Sequence, residues 1–212
     1  MEATPSRFDH QSQGAPAVQT PRVPTDACVQ GNLVLIGYMG TGKSSVGRQL
    51  ARFAHMRFVD TDDLIVAAAG RTIPEIFAAE GVDHFRQLET QVLRDLAGSA
   101  ATVVATGGGI VTRPENLPLL RALGTIVWLT ASEDVIFERV SRNRNRPLLQ
   151  TENPRETMHQ LLTERLPLYR QNSDIVADTS WMSQGDVAHA ILMEARRRQS
   201  GAYHVAHGPA QS

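Results

Sequence analysis

Residues 37–44 read Gly37-Tyr38-Met39-Gly40-Thr41-Gly42-Lys43-Ser44, the pattern G-x-x-x-x-G-K-[ST]. A loop of this kind handles phosphate. Its glycines let backbone N–H groups turn inward around phosphate oxygens, and a helix starting there points its positive end at the same place. Gly40, Thr41, Gly42, Ser44 and Ser45 would cradle the phosphates, and Lys43 would neutralise the outer ones. The Ser44 hydroxyl suits the shell of a Mg²⁺ ion that keeps most of its waters. A second acidic element follows as Asp60-Thr61-Asp62-Asp63. At the end of a strand, one of these carboxylates reaches the metal shell while another meets an acceptor substrate. Asp60 is expected at the metal and Asp62 at the acceptor. Asp63 reads as a first-turn acid of a helix running through Ala69. The segment 102–105 runs into Thr106-Gly107-Gly108-Gly109 and carries no terminal acid, which leaves Asp60 as the metal carboxylate. The three glycines serve either a tight turn or a close approach of backbone to a ligand.

Of the 21 basic residues only Lys43 is lysine and the other 20 are arginine. A protein-kinase fold needs its lysine on a strand, and guanine-reading GTPases usually carry a second lysine, so neither is expected. Two arginines stand where apolar residues should be. On a helix over residues 82–96, Phe85, Leu88, Val92 and Leu96 share a stripe with Glu89 near its middle and Arg86 at its edge. A carboxylate on an apolar face needs a partner, and Arg86, three residues earlier, supplies one. After Pro154, the stripe of Met158, Leu161, Leu162, Leu166 and Tyr169 encloses Arg165. There an arginine either snorkels or serves a cleft, and two forked guanidinium groups could bind an acidic small substrate. Between Arg139 and Leu149, Arg139, Arg142, Arg144 and Arg146 precede Pro147. Beside a phosphate loop, a mobile lid that brings arginine onto a transferring phosphoryl group explains this run better than an RNA patch. Arg142 and Arg144 read as solvated surface.

These groups need a scaffold. Short apolar runs at 32–36, 57–59, 102–105, 125–130 and 175–177 suit only buried strands. Helical patterns fill the gaps. Residues 43–55 place Val46, Leu50, Phe53 and Ala54 on one stripe, and residues 186–198 place Val187, Ile191 and Ala195. Ser132, followed by Glu133 and Asp134, caps another helix. Such alternation predicts an α/β fold with a parallel sheet, helices on both faces and ligands at the carboxyl ends of the strands. The 212 residues, 42% hydrophobic and 20% charged, suit one domain over 32–199. Residues 1–31, rich in Pro, Ser, Gln and Thr, and residues 200–212, with His204 and His207, read as flexible tails. A net charge of −1 gives no global basic field to recruit nucleic acid. One cysteine, Cys28, forms no intrachain disulfide, and neither a signal core nor a membrane-spanning run is present. A cytoplasmic protein is expected.

Taken together, the sequence resembles the shikimate kinases, small P-loop kinases akin to the nucleoside-monophosphate kinases. The likeness runs from about Leu33 to Thr179. It rests on G-T-G-K-S-S, D-T-D at 60–62, F-R-x-x-E at 85–89, T-G-G-G at 106–109, N-R-P-L-L at 145–149 and E-R-x-P-L-Y at 164–169. The resemblance implies a three-layer P-loop kinase fold with a central five-stranded parallel sheet and a mobile lid. It implies transfer of the ATP γ-phosphoryl group to the 3-hydroxyl of shikimate, with Mg²⁺, on the route to chorismate and the aromatic amino acids. It places Asp62, Arg86, Gly108, Gly109 and Arg165 on shikimate, Arg146 as the lid arginine on ATP, and Arg139 beside the base. A monomer is expected. Relatives carry arginine in the loop after the last strand, where this chain has Thr179-Ser180-Trp181, so the adenine contacts stay open.

Overall fold

The computed structural model describes residues 29–142 and 151–206. Five strands, β1 Asn32–Ile36, β2 Arg57–Asp60, β3 Thr102–Ala105, β4 Gly124–Thr130 and β5 Ile175–Asp178, form one parallel sheet in the order β2-β3-β1-β4-β5. Leu33 pairs with Val103 on one side and Thr125 on the other, and Trp128 pairs with Val176. Because β1 is central and covered on both faces, all five of its residues are buried, as an unbroken apolar run requires.

The period of two in a strand then sorts these residues between two cores. Leu33, Leu35, Val103, Val127 and Leu129 face α1 (Lys43–Ala54) and α7 (Gln184–Ala206), packing on Val46, Leu50, Val187, Ile191 and Ala195. Val34, Ile36, Ile126 and Trp128 face the other way. There they meet residues of α3 (Ile73–Asp95), α4 (Asn116–Leu123), α5 (Glu133–Ser141) and α6 (Pro154–Gln171), among them Leu93, Leu120, Ile136, Met158 and Tyr169. A small third core joins Ile65 of α2 (Thr61–Ala69) to Ile76, Phe85 and Val92 of α3. No helix among the described residues is long and apolar enough to cross a membrane.

The sequence expectations hold within a residue at every strand end, but several helical details differ. Phe53 is 43% exposed, because the buried arc of α1 runs through Val46, Gly47, Leu50, Ala51 and Ala54 and Phe53 falls just outside it. Leu166 is exposed for the same reason, the buried arc of α6 being Met158, Leu162, Arg165 and Tyr169. The stripe expected from residue 82 belongs to a longer helix that starts at Ile73 and is broken at Gly81, whose φ of 81° and ψ of −179° suit only glycine. Ser132 occupies the N-cap of α5 without a side-chain capping bond, leaving the first-turn acids Glu133 and Asp134 to face the positive helix end. Helix α7 continues to Ala206, past the expected end at Arg198. The single Gly201 only weakens a helix, and the first Gly-Pro pair comes at 208–209.

Candidate functional site

Parallel strands put all five carboxyl ends on one edge, and the expected site residues gather there. The loop after β1 closes into α1 with Gly37 at φ 140°, where a Cβ would overlap the carbonyl of Leu129 on β4. Helix α1 has Gly42 at its N-cap and no side-chain capping bond, which leaves its positive end directed into the loop. The Lys43 ammonium donates to the carbonyls of Gly37 and Tyr38, each at 2.8 Å, and Thr41 Oγ1 donates to the Tyr38 carbonyl at 2.8 Å. The lysine thus braces the loop from inside.

Strand β2 delivers Asp60 to the same edge, where one carboxylate does two things. Its Oδ1 accepts from the Asp62 N–H at 3.1 Å and caps α2, while Oδ2 accepts from Ser44 Oγ at 2.6 Å. Asp60 thus caps α2, and Asp62 in its first turn is left half-buried at the cavity. A hydroxyl and a carboxylate oxygen side by side are hard donors that fit Mg²⁺, an ion bound through one or two protein oxygens together with phosphates and water. Among the described residues, no group of three or more His, Cys, Asp or Glu could hold a metal by itself.

A cavity of about 390 Å³ runs along this edge. It is lined by the loop residues Met39 to Val46, by Asp60, Asp62, Thr106 and Gly108, and by Arg139. Behind Gly108, two helices far apart in the chain bring the arginines. Arg86 of α3 is buried and lies so close to Gly109 that a Cβ there would overlap its guanidinium. Arg86 Nη1 donates to Glu89 Oε2 at 2.5 Å, and Glu89 is completely buried. Burial pushes the Glu89 carboxyl above the usual range, opposed by the Arg86 charge. Arg165 of α6, also buried, donates to the Gly108 carbonyl at 3.3 Å, and its guanidinium lies 5.6 Å from the Tyr38 ring centre. Tyr169 donates to the same carbonyl. Burial raises the phenol pKa of both Tyr38 and Tyr169, so neutral rings wall in the arginines.

The expected set Gly40, Thr41, Gly42, Lys43, Ser44, Ser45, Asp60, Asp62, Arg86, Gly108, Gly109, Arg139 and Arg165 therefore shares one edge of the sheet. Arg146, the expected lid arginine, lies outside the described residues, as does its neighbour Arg144. Thr179, in the loop where the adenine contacts were left open, lines the cavity as well, together with Met182, Gln184 and Val187, which sequence reasoning had not found. Their signal was available, since they follow the carboxyl end of β5.

Comparison with known proteins agrees with this geometry. The family profile described as shikimate kinase matches residues 39–196. A shikimate kinase from Thermodesulfovibrio yellowstonii is 45% identical over 170 residues, covering 80% of this chain and 98% of that protein. The structure of a shikimate kinase from Acinetobacter baumannii in complex with shikimate superposes with a TM-score of 0.77 at 40% identity, over 80% of this chain and 94% of the other. A gluconokinase from Sinorhizobium meliloti has a TM-score of 0.54 at 18% identity, over 84% of this chain and 98% of the other, and shares the fold alone. With a phosphate loop, a hydroxyl–carboxylate pair and two buried arginines on one edge, and with likeness of this extent, the chain belongs to the shikimate kinase family.

Proposed function

We propose that the chain transfers the ATP γ-phosphoryl group to the 3-hydroxyl of shikimate in this cleft, giving shikimate 3-phosphate and ADP for aromatic amino acid biosynthesis. The observation that carries the reading is the convergence of Arg86 and Arg165 on Gly108 and Gly109, next to Asp62 and the phosphate loop. Two guanidinium groups in a buried pocket fit the substrate carboxylate, each offering a forked pair of donors. Asp62 takes the ring hydroxyls with the backbone of Gly108 and Gly109, and it orients the attacking hydroxyl and accepts its proton. Lys43 exchanges the Gly37 and Tyr38 carbonyls for the outer phosphate oxygens and steadies the charge that grows as the bond to the leaving group lengthens. Ser44 and Asp60 would hold Mg²⁺, which when bound offsets negative charge across the phosphates. Arg139 flanks the nucleotide, and we assign Arg146 to the transferring phosphoryl group from its place in N-R-P-L-L. All these residues come from one chain, so the working unit is taken to be a monomer.

ADP release measured with ATP, Mg²⁺ and either shikimate, gluconate or no acceptor separates the possibilities. Shikimate should stimulate release and gluconate should not. If shikimate gives no more ADP than buffer, the reading fails.

A further inference from the structure

Tyr38 stands in the phosphate loop, yet its side chain belongs to the other half of the cleft. Its backbone is held on both sides. A Cβ on Gly37 before it would overlap the Leu129 carbonyl, and one on Gly108 would come within 3.0 Å of the backbone nitrogen of Met39 after it. Its own carbonyl accepts from Lys43 Nζ and from Thr41 Oγ1, each at 2.8 Å. A backbone fixed in this way aims the ring. Tyr38 is 1% exposed and packs in the core that holds Met158 and Tyr169 of α6. From the same helix the Arg165 guanidinium comes to 5.6 Å from the ring centre, within the distance at which a cation is drawn to a π face.

The two buried arginines are therefore held by different chemistry. Arg86 donates to the Glu89 carboxylate at 2.5 Å, whereas Arg165 donates to the Gly108 carbonyl at 3.3 Å and meets the Tyr38 ring. Burial keeps the phenol neutral, so the ring attracts the cation without cancelling its charge. A carboxylate bonded to Arg165 would compete with an acidic substrate for the same forked donors, and a π face does not. The Tyr38 hydroxyl has no hydrogen-bond partner among the described residues. An unpartnered buried hydroxyl works against folding, which leaves the aromatic face as the useful part of the side chain.

We propose that Tyr38 is a positioning residue for acid recognition: its ring holds the plane of Arg165 so that the guanidinium edge meets the substrate carboxylate, and this sets the preference for the acid over a neutral analogue. The proposal rests on the reading of Arg165 given above and adds the group that aims it.

The test uses the full chain and compares calorimetric Kd values for shikimate and for methyl shikimate, an ester that keeps the ring and its hydroxyls but carries no charge. Tyr38→Leu should weaken shikimate binding by about 3- to 30-fold and weaken the ester and ADP by no more than about twofold, so the preference for the acid narrows. Tyr38→Phe keeps the ring and drops the unpartnered hydroxyl, and should hold the preference within about twofold of the wild type with no fall in melting temperature. Combined with Arg165→Met, Tyr38→Leu should narrow the preference no further. Should Tyr38→Leu not fold, Tyr38→Met, unbranched and adaptable in volume, takes its place. Equal weakening of shikimate and its ester would make Tyr38 a packing element of the loop and overturn the proposal. A preference lost in Tyr38→Phe would move the role to the hydroxyl and overturn it as well. If Arg165→Met leaves the preference intact, the reading of Arg165 has failed; if it removes the preference and Tyr38→Leu does not narrow it, the proposal alone has failed.

Discussion

The replacement of Gly109 by alanine displaces Arg86 without touching the arginine, at a glycine that itself lies beside the substrate position. Gly109 has φ −104° and ψ 4°, a conformation open to alanine, so the backbone is not strained by the change. The added methyl, however, would overlap all three terminal atoms of the Arg86 guanidinium. Ordinary contact requires roughly 3.5 Å, so the guanidinium must retreat by more than about 1 Å. It has little room, since Arg86 is buried and bonded at 2.5 Å to the fully buried Glu89. The retreat removes one charge-assisted contact to the substrate carboxylate, worth about 1.5–3 kcal/mol, or roughly 10- to 150-fold in affinity. Gly109→Ala should therefore raise the KM for shikimate by about that factor, and the Kd for ADP should stay within about twofold. Steady-state kinetics with each substrate varied, together with calorimetric titration of ADP, reads both quantities. A folded variant with an unchanged KM for shikimate would show that Arg86 does not hold the carboxylate. Equal loss of ADP affinity would show instead that the whole cleft had collapsed.

Asp62→Asn should lower kcat by about 10²- to 10⁴-fold while ADP binding, followed by calorimetry, is retained. Lys43→Ala should cost about 10²- to 10³-fold in kcat and leave shikimate binding intact; weakened shikimate binding would mean the lysine mainly braces the Tyr38 wall. Ser44→Ala should raise the Mg²⁺ concentration needed for half-maximal activity without altering the KM for shikimate, since the hydroxyl faces Asp60 rather than the arginines. His159 accounts for one pH effect. Its hydrogen bond to Glu133 raises its pKa above 6.5, so the contribution to stability is full below that value and is lost as pH rises through the raised pKa. The melting temperature of the wild type should exceed that of His159→Gln by a small margin at pH 6, because the pair is exposed, and the gap should close by pH 9.

Local patterns carried most of the fold. The runs at 32–36 and 102–105 match β1 and β3 residue for residue, because strands covered on both faces bury every position, the polar Asn32 and Thr102 at their starts included. Phe53 was misplaced because a wheel counts apolar residues and cannot show that the neighbours of α1 leave room mainly for Gly47, Ala51 and Ala54 on that side. Gly47 is itself set by such a neighbour, since a Cβ there would press into the Phe58 ring. The cavity wall after β5 was legible only in part, since the carboxyl end of the strand gives its position but not its residues. Thr179, Met182 and Gln184 form no recurring spacing, and their meaning depends on Arg139, 40 residues before Thr179, being tied back to them.

The arginines show how a local rule, correctly broken, points to function. Arg86 and Arg165 each interrupt an apolar stripe, and in the folded chain each is buried. Burying a cation costs several kcal/mol unless it is paired. Glu89 is hydrogen-bonded to Arg86 and feels the charges of Arg165 and Asp62 as well, while Arg165 itself donates to the Gly108 carbonyl. With Asp62 counted, two guanidinium cations face two carboxylates, so the cluster is neutral when both acids are ionised. Burial raises the Glu89 pKa, and its protonation would leave the cluster positive. A monocarboxylate ligand finds donors already fixed by Gly109 on one side and the Tyr38 ring on the other. A measurable consequence is that saturating shikimate should raise the melting temperature of the wild type, and do so much less for Arg165→Met, which removes one of the two guanidinium groups while preserving bulk. An equal rise in both would mean that Arg165 does not hold the ligand.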